Sequence, residues 1–172
     1  MKTLITLSTV LALTSLASAE ELPKPIADLE RFVGTWKATG TVTMGKDTVK
    51  ATAAWTCKRT SAKAGVLCTL ELKGIPGVAV GAETDLFGYE PNSNTYHWYA
   101  VTNLGETHDH VAKVVGIDEP KLQYVYTGTQ EGKPFKEVID LTFDAGNKAF
   151  GLHAETFVAG ASTSVFDMKA KK

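Results

Sequence analysis

The sequence lacks the short motifs that usually identify an enzyme. It contains no G-x-S-x-G nucleophile elbow, no glycine-rich phosphate loop, no H-E-x-x-H and no C-x-x-C, so no reaction is indicated and we predict no cofactor. Basic residues are not in excess either, with 18 Lys and Arg against 19 Asp and Glu. This balance gives no basic surface for nucleic acid or for an anionic membrane. We therefore predict no nucleic-acid partner.

Long apolar runs are also missing, except at the start of the chain. Lys2 is followed by a stretch at 4–16 that is apolar or hydroxyl-bearing, and Ala-Ser-Ala at 17–19 is a typical cleavage site. This pattern predicts a signal peptide at 1–19 and a single exported domain at 20–172, periplasmic or secreted. No later run approaches about 20 apolar residues, so we predict no integral membrane segment.

Cysteine is scarce, with two residues in the whole chain. Export favours a disulfide over free thiols or a metal site. Residues 60–65 are typical of a hairpin turn, and pairing the flanking strands across it places Cys57 opposite Cys68 and Trp55 opposite Leu70. The sequence therefore predicts a Cys57–Cys68 disulfide.

Turn-forming clusters, in contrast, recur along the whole predicted domain. Nine such breaks separate segments rich in Val, Thr, Tyr, Phe and Trp, which predicts about ten strands. Connections this short cannot carry parallel crossovers, so the strands should form an antiparallel up-and-down meander. A meander of this length avoids exposed edges by closing into a barrel. Residues 25–32 have the spacing of a short helix, which we expect to cap one end.

Two segments carry a resemblance to a known family. The opening FVGTWKATGTV and the later FGYEPNSNTYHWYAVTN, with about ten strands, resemble a family of exported bacterial proteins of unknown function with a lipocalin-like (calycin) β-barrel. The resemblance implies that Trp36 of the Gly34-Thr35-Trp36 motif closes the barrel floor. In lipocalins this Trp packs on an Arg of the last strand, but the arginines here are Arg31 and Arg59. The resemblance therefore implies a shape and not a ligand.

Alternation along the strands predicts which side chains point into the barrel. His108 and His110 share an inward face, whereas His97 and His153 fall on the outward one. Pairing across residues 103–105 and 91–94 places His110 opposite Ala100, and Ala100 opposite Asp85, and Gly128 is predicted on the other side of His110. The predicted ligand-binding residues of this interior are Asp85, Phe87, Trp98, His110, Tyr124, Tyr126 and Glu137.

These residues are compatible with three functions. The first is a binding protein that holds a small apolar or aromatic ligand in its lumen. The second is a cavity enzyme, either with His110 and Asp85 as an acid–base pair or with a metal on His108 and His110, completed by Glu83 or Asp85. The third is a structural envelope protein with a filled lumen. We favour the first and lean against an enzyme.

Overall fold

The computed structural model describes residues 21–114 and 119–172, so the predicted signal peptide at 1–19 lies outside the described residues. A helix α1 at Lys24–Asp28 continues into a 3₁₀ turn at Leu29–Phe32. Ten strands follow within these ranges: β1 Gly34–Met44, β2 Asp47–Arg59, β3 Val66–Lys73, β4 Gly81–Glu90, β5 Thr95–Thr102, β6 Thr107–Lys113, β7 Lys121–Gln130, β8 Lys133–Phe143, β9 Ala149–Val158 and β10 Ala161–Lys171.

The strands form one closed antiparallel barrel. Each strand pairs with the next in the chain, and β1 pairs with β10 to close the ladder. The predicted all-β, ten-stranded, up-and-down, lipocalin-like barrel with an N-terminal capping helix is confirmed. Within the described ranges, no helix is long and apolar enough to cross a membrane.

The strand β2 shows how the sequence pattern produces the sheet. Its buried residues are Ala51, Ala53, Trp55 and Cys57, and they alternate with the exposed Lys50, Thr52, Ala54, Thr56 and Lys58. One face of β2 is therefore buried, and the other contacts water. The register of β2 on β3 places Trp55 opposite Leu70 and Cys57 opposite Cys68. The two sulfur atoms are bonded, so the predicted disulfide is confirmed.

The helical segment closes one end of the barrel, as predicted. Trp36 is only 1% exposed, and its Nε1 donates a hydrogen bond to the Phe32 carbonyl oxygen at 2.7 Å. The Phe32 ring stacks on Phe87 with centroids 4.4 Å apart. Lys172 places its Nζ 4.6 Å from the centroid of a Trp36 ring. This contact places a cation from the residue that follows the last strand over the Trp36 ring.

Two predicted registers, those of β6 on β5 and of β6 on β7, are each wrong by two residues. The structure pairs Trp98 with His110 and Ala100 with His108, whereas the prediction paired Ala100 with His110. Four residues, 103–106, lie between β5 and β6, and Gly105 among them adopts a left-handed φ of 84°. Thr102 therefore lies opposite Glu106, and the shift of two preserves which residues point inward while it changes their neighbours.

The neighbouring pairs β4–β5 and β7–β8 follow the predicted registers. Asp85 lies opposite Ala100, Phe87 opposite Trp98, and Tyr126 opposite Glu137. Between them, Val111 pairs with Val125, which places His110 opposite Tyr126, whereas the prediction placed it opposite Gly128.

Candidate functional site

A cavity of about 460 Å³ occupies the barrel half opposite Trp36. It extends to the turns that follow β1, β3, β5, β7 and β9, with Ile75 and Leu104 at this mouth. Most of its wall is apolar, contributed by Ala53, Trp55, Leu70, Leu72, Ile139, Leu152 and Met168. The barrel is therefore packed at its floor and open in its lumen.

Three polar side chains meet on one wall of this cavity. The Glu137 Oε2 atom lies 2.7 Å from His110 Nε2 and 3.3 Å from His108 Nδ1. His108 and His110 alternate with the outward Asp109 on β6, and Glu137 reaches them from β8 across Tyr126 of β7. Their donor atoms all lie within 4.8 Å of one another. We call His108, His110 and Glu137 the His–Glu cluster.

Aromatic packing and glycine position the cluster. The Tyr126 ring stacks on His108 with centroids 4.2 Å apart and planes at 14°. A Cβ atom at Gly128 would collide with the Tyr126 hydroxyl, so glycine at that position makes room for this ring. Trp98 lies 5.6 Å from His110, ring centroid to centroid. Both imidazoles are thus held against aromatic faces.

Hydrogen bonding determines the electrostatics of the cluster. Burial alone would raise the pKa of Glu137, but hydrogen bonds from His108 and His110 lower it to about 2. The other ring nitrogen of His110, Nδ1, lies 3.3 Å from the Trp98 carbonyl oxygen. Both partners of His110 are acceptors, so a hydrogen on Nδ1 would be donated to the Trp98 carbonyl oxygen and a hydrogen on Nε2 to Glu137.

Two further carboxyl groups lie near the cluster. Glu83 lines the cavity, and burial together with the nearby charges of Asp85, Glu137 and Glu106 raises its pKa to about 8. Asp85 is fully buried, and its Oδ1 accepts a hydrogen bond from Trp98 Nε1 at 2.9 Å. Burial raises the pKa of Asp85 to about 6, although the Trp98 hydrogen bond and His110 oppose this.

The predicted pairing of His110 with Asp85 is wrong. The β5–β6 register moves His110 one row away from Asp85, and Trp98 bonds Asp85 instead. The β6–β7 register places His110 opposite Tyr126, in the row of Glu137, so Glu137 bonds His110. An acid–base pair in this cavity would therefore join Glu137 to His110 or to His108. The same β6–β7 register makes Glu137, and not Glu83 or Asp85, the third potential metal ligand beside His108 and His110.

The predicted site residues divide into two groups. Trp98, His108, His110 and Glu137 line the cavity. The others do not line it: Phe87 belongs to the aromatic packing at the floor, Tyr124 is fully buried against Phe87 and Trp98, Asp85 is bonded to Trp98, and Tyr126 is stacked on His108.

Glu83, which was predicted only as a possible third metal ligand, also lines the cavity, because its position two residues before Asp85 on β4 gives it the same inward face. The two remaining histidines lie on the outer face, as predicted. His97 is bonded to Asp109 and His153 to Asp167.

No protein-family model and no curated protein sequence matches this chain. Among solved structures it is similar to the S-type phycobiliprotein lyase CPES from Guillardia theta, with a TM-score of 0.50. The match covers 83% of this chain and 87% of that one at 8% sequence identity. At this identity the likeness shows a shared lipocalin-like barrel fold and nothing finer.

Proposed function

We propose that this protein binds a small, largely apolar or aromatic molecule in the lumen of its barrel, with a polar group of that molecule at the His–Glu cluster. The observation that carries the proposal is the cavity of about 460 Å³, which has apolar walls and polar groups on one side. Ligand sites in proteins commonly have volumes of about 300–1,000 Å³ and this division of wall chemistry.

Packing supports binding over a structural role with a filled lumen. The aromatic residues that fill the floor, Phe32, Trp36, Phe143 and Phe150, are in mutual ring contact. In the other half of the barrel, small side chains such as Ala53, Ala100 and Ala154 point inward and leave the cavity between them. A barrel that served only as a rigid body would gain stability from larger residues at these positions.

The similar solved structure is a phycobiliprotein lyase, and that activity is not part of this proposal, because the likeness shows only the fold. The proposal stands on the cavity and on the groups that line it. Trp98 offers an aromatic surface, whereas Glu83 and the His–Glu cluster offer hydrogen bonds. A flat apolar molecule with one polar end matches this arrangement.

A fluorescent probe with this chemistry, 1-anilinonaphthalene-8-sulfonate, tests the proposal. We expect saturable binding of about one probe per folded protein, because the cavity is the size of one small ligand. Ala53→Phe places a ring in the cavity and should weaken binding about tenfold or more. Ala54→Phe is the matched control, since Ala54 is the next residue of β2 and faces water.

The two variants make the outcome decisive. Equal probe affinity in Ala53→Phe, Ala54→Phe and the unchanged protein would show that the probe binds outside the lumen. Absence of saturable binding to the folded protein would contradict the proposal directly. Circular dichroism and thermal melting establish that both variants are folded before their affinities are compared.

We also propose that the protein is exported after removal of residues 1–19, and that residues 20–172 form its single domain. The Cys57–Cys68 disulfide supports this proposal, because such bonds persist in oxidising compartments. Expression of the full chain in a bacterium, followed by mass spectrometry of the periplasmic and secreted fractions, should yield a protein that begins at Glu20. Recovery only of uncleaved chain from the cytoplasm would contradict export.

A further inference from the structure

We propose that the His–Glu cluster is a binding site for a divalent transition-metal ion, with Zn²⁺ as the representative ion. His108 Nδ1, His110 Nε2 and the Glu137 carboxylate would be its three protein ligands. The remaining coordination position would face the cavity. Binding of the ion does not require an organic ligand, whereas its role as an anchor for that ligand rests on the proposed function.

Geometry carries the first step of this inference. The three donor atoms lie within 4.8 Å of one another. Ligands held about 2.0–2.2 Å from a tetrahedral Zn²⁺ are themselves separated by about 3.3 Å. Of the observed separations from Glu137 Oε2, the 3.3 Å to His108 equals that value and the 2.7 Å to His110 is shorter. An ion would therefore require the side chains of the cluster to move apart slightly.

The contacts around the ligands form the second step. His110 Nδ1 points at the Trp98 carbonyl oxygen, 3.3 Å away. A hydrogen on Nδ1 leaves the lone pair of Nε2 directed at Glu137, which is the tautomer that an Nε2 ligand requires. Such a backbone partner commonly orients metal-binding histidines. The stacked Tyr126 ring fixes the plane of the His108 imidazole. Packing of this kind preorganises metal ligands before the ion binds.

Charge compensation forms the third step. With hydrogen on Nδ1, His110 can meet the Glu137 carboxylate at Nε2 only through a second proton or through a cation. A metal ion replaces that proton and neutralises Glu137 at the same time.

The donor set indicates the class of metal and of bound group. Two imidazoles and one carboxylate suit Zn²⁺, Fe²⁺, Ni²⁺ or Cu²⁺, whereas Ca²⁺ and Mg²⁺ prefer oxygen ligands throughout. One carboxylate leaves such an ion with a net positive charge. The open position would therefore accept water or an anionic oxygen, such as the carboxylate of an otherwise apolar acid.

Calorimetric titration of EDTA-treated, dialysed protein with Zn²⁺ tests the site. We expect one ion per protein in the unchanged chain. His108→Gln, His110→Gln and Glu137→Gln should each weaken binding by about 100-fold or more, since loss of an outer partner alone costs 10–100-fold. His97→Gln and His153→Gln are matched controls, because each of those histidines also contacts a carboxylate but belongs to the outer face.

A second measurement uses only the unchanged protein, so it does not depend on the folding of any variant. Diethyl pyrocarbonate modifies imidazole nitrogens, and mass spectrometry locates the modified residues. Zn²⁺ should protect His108 and His110 and leave the modification of His97 and His153 unchanged. Equal protection of all four histidines, no protection, or calorimetric binding that persists in the His110→Gln protein would overturn the proposal.

These experiments distinguish failure of the metal proposal from failure of the lumen-binding proposal. Binding of the anilinonaphthalene probe to EDTA-treated protein, together with no Zn²⁺ binding, would retain the lumen proposal and reject the metal. Stoichiometric Zn²⁺ binding with no probe binding would do the reverse. Probe binding that strengthens after Zn²⁺ is added, and only when His110 is present, would support the ion as an anchor for an anionic group.

Discussion

Asp85 is a charged residue type in a fully buried position. One of its oxygens accepts the Trp98 hydrogen bond, and the other, Oδ2, has no partner among the described residues. Burial of an ionised carboxylate with one neutral donor is unfavourable, which explains the direction of its pKa shift. The folded protein therefore retains a proton on Asp85 at pH values where the unfolded chain has lost it.

This difference predicts a pH-dependent stability. The pKa of Asp85 is about 6 in the folded protein against 3.8 in the unfolded reference, so this residue's contribution is fully present below pH 3.8. It declines as pH rises to about 6 and is constant above that. Asp85→Asn cannot ionise, so urea unfolding at pH 4 to 7 should show the variant gaining on the order of 2–3 kcal/mol relative to the unchanged protein.

The control is Asp47→Asn, which removes a carboxylate from the exposed start of β2. Its stability difference from the unchanged protein should vary little over the same pH range. A difference for Asp85→Asn that is also independent of pH would mean that Asp85 ionises as readily in the barrel as in the unfolded chain.

For single residues, the sequence predicted which way a side chain points better than it predicted which residues that side chain contacts. The inward direction of His110 depends only on the two-residue period of a strand, so it was correct. Its neighbours depend on two registers: that of β6 on β5, which the turn at Gly105 decides, and that of β6 on β7, which places His110 opposite Tyr126. The sequence correctly predicted that Glu137 points into the barrel. Its contact with His110 could not be predicted, because each predicted strand register was built on the previous one and carried its error.

At the scale of elements, the helical segment and β1 act together as the floor. Trp36 is bonded to the Phe32 carbonyl, and its ring packs edge-on to Phe150 at 4.8 Å between centroids. The short helix contains no buried residues of its own, whereas Leu29, Arg31 and Phe32 of the 3₁₀ turn are buried. The turn therefore contributes the packing, and the helix leads the chain to it.

Loss of the Trp36 side chain should open the floor. We expect Trp36→Ala to lower the free energy of unfolding by roughly 3–5 kcal/mol, because a large buried ring and its hydrogen bond are removed together. Tyr99→Ala is the control, since Tyr99 is an aromatic residue that is 45% exposed, and it should change stability by about 0.5 kcal/mol or less. Similar losses in the two variants would show that Trp36 does not close the floor.

The elements themselves could be predicted because local chemistry specifies them. Turn residues marked the strand boundaries, and the alternation in β2 and β3 gave the disulfide register through Cys57 and Cys68. The contact between Lys172 and Trp36 could not be predicted. It joins the residue after the last strand to a residue of the first strand, and no local sequence pattern indicates a contact between the two.

At the scale of the whole molecule, closure of the barrel depends on how closely β1 and β10 approach each other. Gly40 lies in the middle of β1 opposite Met168, and a Cβ atom there would collide with the backbone of Asp167. Gly40→Ala should therefore strain the seam between the first and last strands and destabilise the barrel by about 3 kcal/mol or more. Urea unfolding measures this change.

Gly88→Ala is the matched control for the seam. Gly88 is also inside a strand, and a Cβ atom there would have no neighbour within 4 Å. We expect this variant to be as stable as the unchanged protein or slightly more stable, since alanine restricts the unfolded chain. A Gly40→Ala protein as stable as Gly88→Ala would mean that the two strands can separate slightly without cost.

The alternation of strand direction assigns the turns to opposite ends of the barrel. The turns after β1, β3, β5, β7 and β9 surround the cavity mouth, whereas the disulfide, the 3₁₀ turn and the Trp36 packing lie towards the other end. Mutations that change the size or charge of the mouth therefore leave the packing that holds the barrel closed intact. If the lumen binds a ligand as proposed, selection for binding and selection for folding act on different segments of the chain. Over evolution, such a scaffold can change its ligand without first losing stability.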